Sequence, residues 1–225
     1  MCKRLLLFLI ISVAIAVSCK NFDRRDVSTA LYANYSIRGE EGKEFVTAFF
    51  QFFDDPVEQA LVLKEPAKIF LDDNLLSPDS AKETGGFYEM QMPIQDFTGA
   101  HTIRFIDAEN REHREEFSFT PFRLINQVKD SFNRKDMVFG IEGLEDQDII
   151  RVVITDTSFE SEGVNEMDTI LNQRLDLRKY LPAISNGPVT LYLFKEEERS
   201  LENKPSKRGT ISITYSLKRE FELKD

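Results

Sequence analysis

The chain has no tryptophan, and only two cysteines and two histidines among its 225 residues. Each shortage removes a class of chemistry. Without tryptophan, the side chain best suited to a stacking platform is missing, which disfavours sugar binding. The two histidines, His101 and His113, fall in the clearest hairpin of the sequence, residues 102–106 and 115–120 flanking Asp107-Ala108-Glu109-Asn110-Arg111. In the register that puts Ile103, Phe105, Phe117 and Phe119 on one face, His113 lies opposite Phe105 and His101 opposite Phe117. About 13 Å then separates the two rings along the sheet, too far to share a metal, and surface or edge positions are expected for both. The chain contains no Gly-x-Ser-x-Gly, Ser-x-x-Lys or His-Glu-x-x-His, so the common hydrolase signatures are missing. Positive charge is the scarcer sign, 29 Lys and Arg against 39 Asp and Glu, for a formal charge of −10. An acidic body argues against nucleic acid, because phosphate binding needs a basic patch. No catalytic, cofactor-binding or metal-binding residue is expected, and no cofactor.

What is present is concentrated at the start. Lys3 and Arg4 precede an apolar run, Leu5 to Val17, broken only by Ser12, and Ala16-Val17-Ser18-Cys19 closes it. A positive n-region, a short apolar h-region and small residues before a cut make a secretory signal peptide. The run has about 13 residues, short of the ~20 that a transmembrane helix needs. With Cys19 directly after the small residue, the segment resembles the lipobox of bacterial lipoproteins, although Ala16 stands where Leu is favoured. The resemblance implies that Cys19 becomes the first mature residue and carries a diacylglycerol thioether and usually an N-acyl chain. Two or three acyl chains hold a protein stably at a membrane, whereas one does so only marginally. Cys2 would be discarded with the signal. Cys19 would then be the sole remaining cysteine, and lipidation accounts for a lone thiol in an oxidising compartment. With that thiol modified and the histidines apart, no structural zinc site of the usual kind is expected. Lys20 occupies the place where an Asp would resemble an inner-membrane retention signal, which favours the outer membrane.

The expected organisation is a signal peptide over residues 1–18, a lipidated tether over 19–27, and two domains over 28–121 and 122–225. Eight extended tether residues reach at most about 28 Å. The mature body has roughly 207 residues, enough for two domains of about 100. Without a disulfide its stability must come from packing, to which 19 phenylalanines contribute large buried area. Short strand-like runs are separated by Pro, Asp, Asn and Gly: 30–37, 44–53, 60–63, 67–71, 86–94, then the hairpin. Turns at this spacing indicate an antiparallel sandwich. Strand 44–53 is apolar on both sides, with Phe45, Phe49 and Phe53 against Val46, Ala48, Phe50 and Phe52. That fits a central strand covered on both faces, or an aromatic face turned to a partner or to the second domain. The second half reads as strands at 136–141, 149–154 and 168–177, a helical turn over 178–184, and strands at 189–194 and 210–217. In the last, Ile211, Ile213, Tyr215 and Leu217 alternate with Thr210, Ser212, Thr214 and Ser216, the pattern of a half-exposed strand. The charged stretch 195–208 reads as a mobile loop. A helical turn before a penultimate strand resembles immunoglobulin-like domains in architecture, with no family signature in the residues. The fold class expected is thus all-β, two antiparallel immunoglobulin-like sandwiches.

Two weaker signals concern carboxylates. Ile154-Thr155-Asp156-Thr157-Ser158 is similar to the Asp-Thr-Gly/Ser turn of aspartic proteases, but catalysis there needs a second aspartate sharing the proton, and the chain has no second Asp-Thr copy. Asp54-Asp55 and Asp72-Asp73 fall at one end of the first domain if strands alternate from Glu44, an arrangement open to calcium, although turn preference alone accounts for aspartates there. The functional expectation is a lipid-anchored envelope protein, contacting the membrane through Cys19 and binding another envelope protein in a non-catalytic or scaffold role. The alternatives are an envelope hydrolase or protease working through carboxylates such as Asp156, and a purely structural spacer.

Overall fold

The computed structural model of the chain describes residues 31–55, 59–125, 129–157, 163–203 and 208–225. The signal segment, the tether and Cys19 lie outside the described residues. Eight strands occupy the first half: β1 (Tyr32–Glu40), β2 (Phe45–Phe53), β3 (Lys68–Leu71), β4 (Asn74–Leu75), β5 (Pro78–Ala81), β6 (Gly85–Pro93), β7 (Gly99–Ile106) and β8 (Glu112–Phe119). Eight more follow: β9 (Arg123–Leu124), β10 (Ser131–Asn133), β11 (Val138–Glu142), β12 (Ile149–Asp156), β13 (Val164–Thr169), β14 (Arg174–Asp176), β15 (Gly187–Ser200) and β16 (Arg208–Lys224). The helical content of the described residues is two single 3-10 turns, Arg134–Asp136 and Leu181–Ala183. The all-β class is as expected from the strand-and-turn pattern.

A nine-stranded sheet in the order β13-β12-β15-β16-β1-β2-β6-β5 forms one layer, with β10 added beside β16. Sheets β4-β3-β7-β8 and β14-β11-β9 pack on it. Phe52 of β2 meets Phe105 of β7, with ring centroids 4.9 Å apart, and Phe119 of β8 meets the edge of Tyr215 on β16. In the second half Phe132 sits between Phe139 of β11 and Phe221 of β16. The packing faces are the apolar halves of alternating strands. Val46, Ala48, Phe50 and Phe52 are buried, as are Ile211, Ile213, Tyr215 and Leu217.

Strand β16 ties the halves together. Its first part runs parallel to β1, from Tyr32 opposite Arg208 to Glu40 opposite Ser216. Along fourteen residues it is also antiparallel to β15. One sheet therefore runs across Pro121, and Tyr215 packs against Phe119 and Phe122, on either side of that proline.

Three local expectations need correction. Residues 195–200 are strand, the outer part of β15, where a mobile loop was expected. Three of their charges are held by partners that composition does not reveal: Lys195 donates to Asp148 at 2.9 Å, Glu196 accepts two bonds from Arg151, and Arg199 pairs with Glu115. Residues 60–63 make isolated bridges, Ala60 to Gly85 and Leu61 to Phe52, where a strand was expected. Gly85, at φ +80°, admits this approach, since a side chain there would meet the Ala60 carbonyl oxygen at 2.3 Å. The run 168–177 is split by a turn in which Asn172 and Gln173 adopt left-handed backbone, at φ 52° and 56°.

Candidate functional site: the open face of the large sheet

The large sheet buries one face and leaves the other open, and alternation along its central strands decides what the open face presents. From β16 come Thr210, Ser212, Thr214 and Ser216, half-buried between their neighbours. From β1 come Asn34, Ser36 and Arg38, and from β2 Thr47, Phe49 and Gln51. Register aligns them in cross-strand rows: Glu198–Ser212–Ser36–Phe49, and next to it Glu196–Thr214–Arg38–Thr47. The result is a shallow trough of hydroxyl and amide groups made of two adjoining depressions, about 510 and 460 Å³, that share Arg38 and Thr47. These volumes fall in the range of small-ligand clefts.

Aromatic side chains frame the trough. On the β2 side Phe49 stacks on Phe87 at 5.2 Å, and Phe45 is 42% exposed. On the β15 side Phe194 stacks on Tyr192, and the Arg151 guanidinium lies 4.6 Å from the Phe194 ring centre while bonding Glu196 at both of its oxygens. That wall is fixed by three mutually supporting contacts. The floor is less committed. Arg38 donates from Nε to Ser36 Oγ at 3.1 Å, and among the described residues it has no carboxylate partner. Glu198 likewise has no cationic partner among them, since the bonds and ion pairs along β15 go to its neighbours. At the far end of the second depression stand Glu40 and Lys43.

Of the two readings left open for β2, this geometry tells against coverage of both faces. Phe50 and Phe52 are in the core, whereas Phe45, Phe49 and Phe53 line a face that no second sheet covers among the described residues. The polar half of β16 was legible in its alternation. The contribution of Asn34, Ser36 and Arg38 was missed, although β1 carries the same two-residue period. What hid it was the parallel pairing of β1 with a strand about 176 residues later, which no local pattern encodes.

The histidines keep their expected register, His101 opposite Phe117 and His113 opposite Phe105; His113 lies on the edge strand β8, in keeping with the expected surface or edge position, whereas that expectation is corrected for His101. His101 is buried, stacked on Phe97 at 3.9 Å, with Nδ1 3.0 Å from an Asp72 oxygen and Nε2 2.8 Å from the Phe97 carbonyl. His113 is half-buried against Phe105, and its Nε2 lies 3.0 Å from Asp107. Each imidazole thus has its own carboxylate and serves the packing of the second sheet.

The carboxylates do not assemble as a calcium site. Asp72 accepts from His101 and from the Thr102 amide, in the part of β7 nearest the start of β2, whereas Asp54 follows the end of β2. The chain crosses between sheets at 60–67 without the full strand that simple alternation assumed. No group of three or more His, Cys, Asp or Glu able to hold a metal occurs among the described residues. Asp156 ends β12, where its carboxylate accepts the Ser185 amide at 2.7 Å. With Asp130, Glu220 and Glu222 it lines a depression of about 280 Å³. The other three are exposed, so none is held in the dry surroundings that keep one carboxyl protonated beside an ionised one.

No family model matches the chain, and no curated protein matches it. Among solved structures it has a weak likeness to the crystal structure of DIP-gamma IG1+IG2, with TM-score 0.25 and 8% identity over 82% of this chain and 94% of that one. Dpr11 IG1 bound to DIP-gamma IG+IG2 gives TM-score 0.23 and 8% identity over 81% and 95%.

Proposed function

We propose that this is a lipid-anchored bacterial envelope protein, of the outer membrane by its Lys20, with a non-catalytic binding role, and that the open face of its large sheet receives a protein partner. One observation carries the reading: a trough of side-chain hydroxyl and amide groups, framed by aromatic rings, on a sheet whose other face carries the hydrophobic core. Aromatic anchors within a polar surround are the usual composition of protein interfaces. The lipobox-like segment ending at Cys19 supplies the anchor in this proposal. The two packed halves, each a small sheet on the shared large one, fit a pair of immunoglobulin-like sandwiches fused through β15 and β16.

The test is crosslinking in living cells followed by recovery of the tagged full-length chain, beside Cys19→Ala and a trough-filling Ser212→Trp. One dominant partner, absent from both variants while Ser212→Trp stays folded and in the membrane fraction, is the expected result. A partner retained by Ser212→Trp would remove the trough from the proposal. Membrane association of Cys19→Ala would remove the anchor.

A further inference from the structure

Resting on that reading of the trough, we infer the chemistry of what it binds: an extended polypeptide segment carrying one carboxylate and one ammonium or guanidinium, two or three residues apart. The inference comes from charges left open on an otherwise settled surface. Where charged side chains flank the trough they are mostly paired, Arg151 with Glu196 and Lys195 with Asp148. Inside the first depression Arg38 and Glu198 are the exceptions, one of each sign, with no opposite charge bonded to either among the described residues.

Register fixes their separation. Glu198, Ser212 and Ser36 form one cross-strand row, and Arg38 lies two residues further along β1. Two strand spacings across and two residues along give roughly 12 Å between the Cα positions. Both side chains line the first depression together with Ser212 and Ser36, and a few Å of side-chain length at each end leaves a gap of about 7–10 Å to be bridged. An extended chain spans that with two or three residues. Glu40 and Lys43 place a second pair of opposite signs at the far end of the adjoining depression, so a longer segment meets mixed charge along its length.

This complementarity also selects against other ligands. A polyanion would meet Glu198 and Glu40, and a polycation Arg38 and Lys43, each a like-charge contact that costs specificity. A neutral or acidic saccharide offers no cation for Glu198. A peptide supplies both signs, and its backbone amides match the Ser, Thr, Asn and Gln side chains of the floor. Bidentate pairing of a carboxylate with the open Nη groups of Arg38 is the strongest single contact available.

The experiment uses the full-length chain in detergent and three labelled hexapeptides, alternating Glu-Ser-Lys, Glu-Ser-Glu and Lys-Ser-Lys, each read by fluorescence anisotropy, with a uronic-acid hexasaccharide as competitor. The mixed-charge peptide is expected to bind at least about tenfold more tightly than either single-sign peptide. Arg38→Gln and Glu198→Gln are each expected to weaken it by about three- to tenfold, and the Arg38→Glu, Glu198→Lys swap to restore most of the loss. Equal binding of the three peptides, no effect of either substitution, or displacement by the hexasaccharide alone would overturn the inference. Absence of binding, with a protein still crosslinked to the trough in cells, would overturn it while leaving the docking face intact. Should no protein crosslink there either, the failure lies with the docking face itself.

Discussion

At the scale of single residues, the chain disposes of its buried charges by pairing each with several donors. Glu115 is 4% exposed and receives the Arg199 guanidinium and, at 2.8 Å, the Glu202 amide. Arg199 also donates to the Glu116 carbonyl at 2.7 Å, and Asn203 to the Arg114 carbonyl. These bonds cover the outer edge of β8, which would otherwise offer free carbonyls to another strand. Removing Arg199 strands a buried carboxylate, so Arg199→Ala is expected to cost about 2–4 kcal/mol in urea denaturation. Arg199→Ala with Glu115→Leu should cost less than Arg199→Ala alone, because no charge is then left unpaired. A double variant weaker than the single would contradict this account.

Asp107 gives the pH counterpart. Burial acts to raise its carboxyl, but bonds from His113, from the Arg111 backbone and side chain and from the Glu109 amide outweigh it and lower it to about 2. A carboxylate depressed on folding adds stability above its unfolded range, near pH 4, and that contribution is lost as pH falls toward 2. The exposed Arg111 partner is screened, which keeps the contribution at roughly 1–2 kcal/mol. Asp107→Asn should flatten the stability profile between pH 4 and 2, and an unchanged slope in that window would refute the assignment. None of these pairings was legible in the sequence. The register of His101 and His113 was, since alternation of Ile103, Phe105, Phe117 and Phe119 determines it. The burial of His101 was not, because it depends on Asp72 arriving from 29 residues earlier in the chain.

At the scale of elements, strands with a clean two-residue period were readable and those carried by ion pairs were not. Residues 210–217 show the first case, with their apolar half buried as the pattern implied. Residues 195–200 show the second, a strand hidden by five charges and a Ser because the partners of Lys195, Glu196 and Arg199 lie far away in sequence. Hydrogen exchange separates the two descriptions directly. Amides of Glu196–Ser200 that face β16 should exchange at rates comparable to those of Leu191–Phe194, within about tenfold. Exchange at the rate of free peptide would restore the loop. The same reasoning accounts for β2. Its two apolar faces were visible in the sequence, but which face the second sheet covers depends on β7 reaching Phe52.

At the scale of the whole molecule, a boundary at Pro121 was the natural reading of the turn and composition signals, and the topology adds what they omit. The last hairpin, β15 with β16, runs beside the first strand of the chain and joins both halves in one sheet. That long-range parallel pairing also creates the trough, since its floor needs β16, β1 and β2 side by side. Sequence showed one wall and half the floor, whereas the assembly of the site is a property of topology alone. The first measurement for the docking face is photocrosslinking in intact cells with a benzoylphenylalanine placed singly at Phe45, Phe49 and Phe194, the aromatic residues that line the trough, and at Ser80, Glu142 and Glu222 away from it. The account predicts one shared protein adduct at the three trough positions and none of that mass at the other three. Adducts of equal yield at all six positions, or adducts only outside the trough, would contradict it.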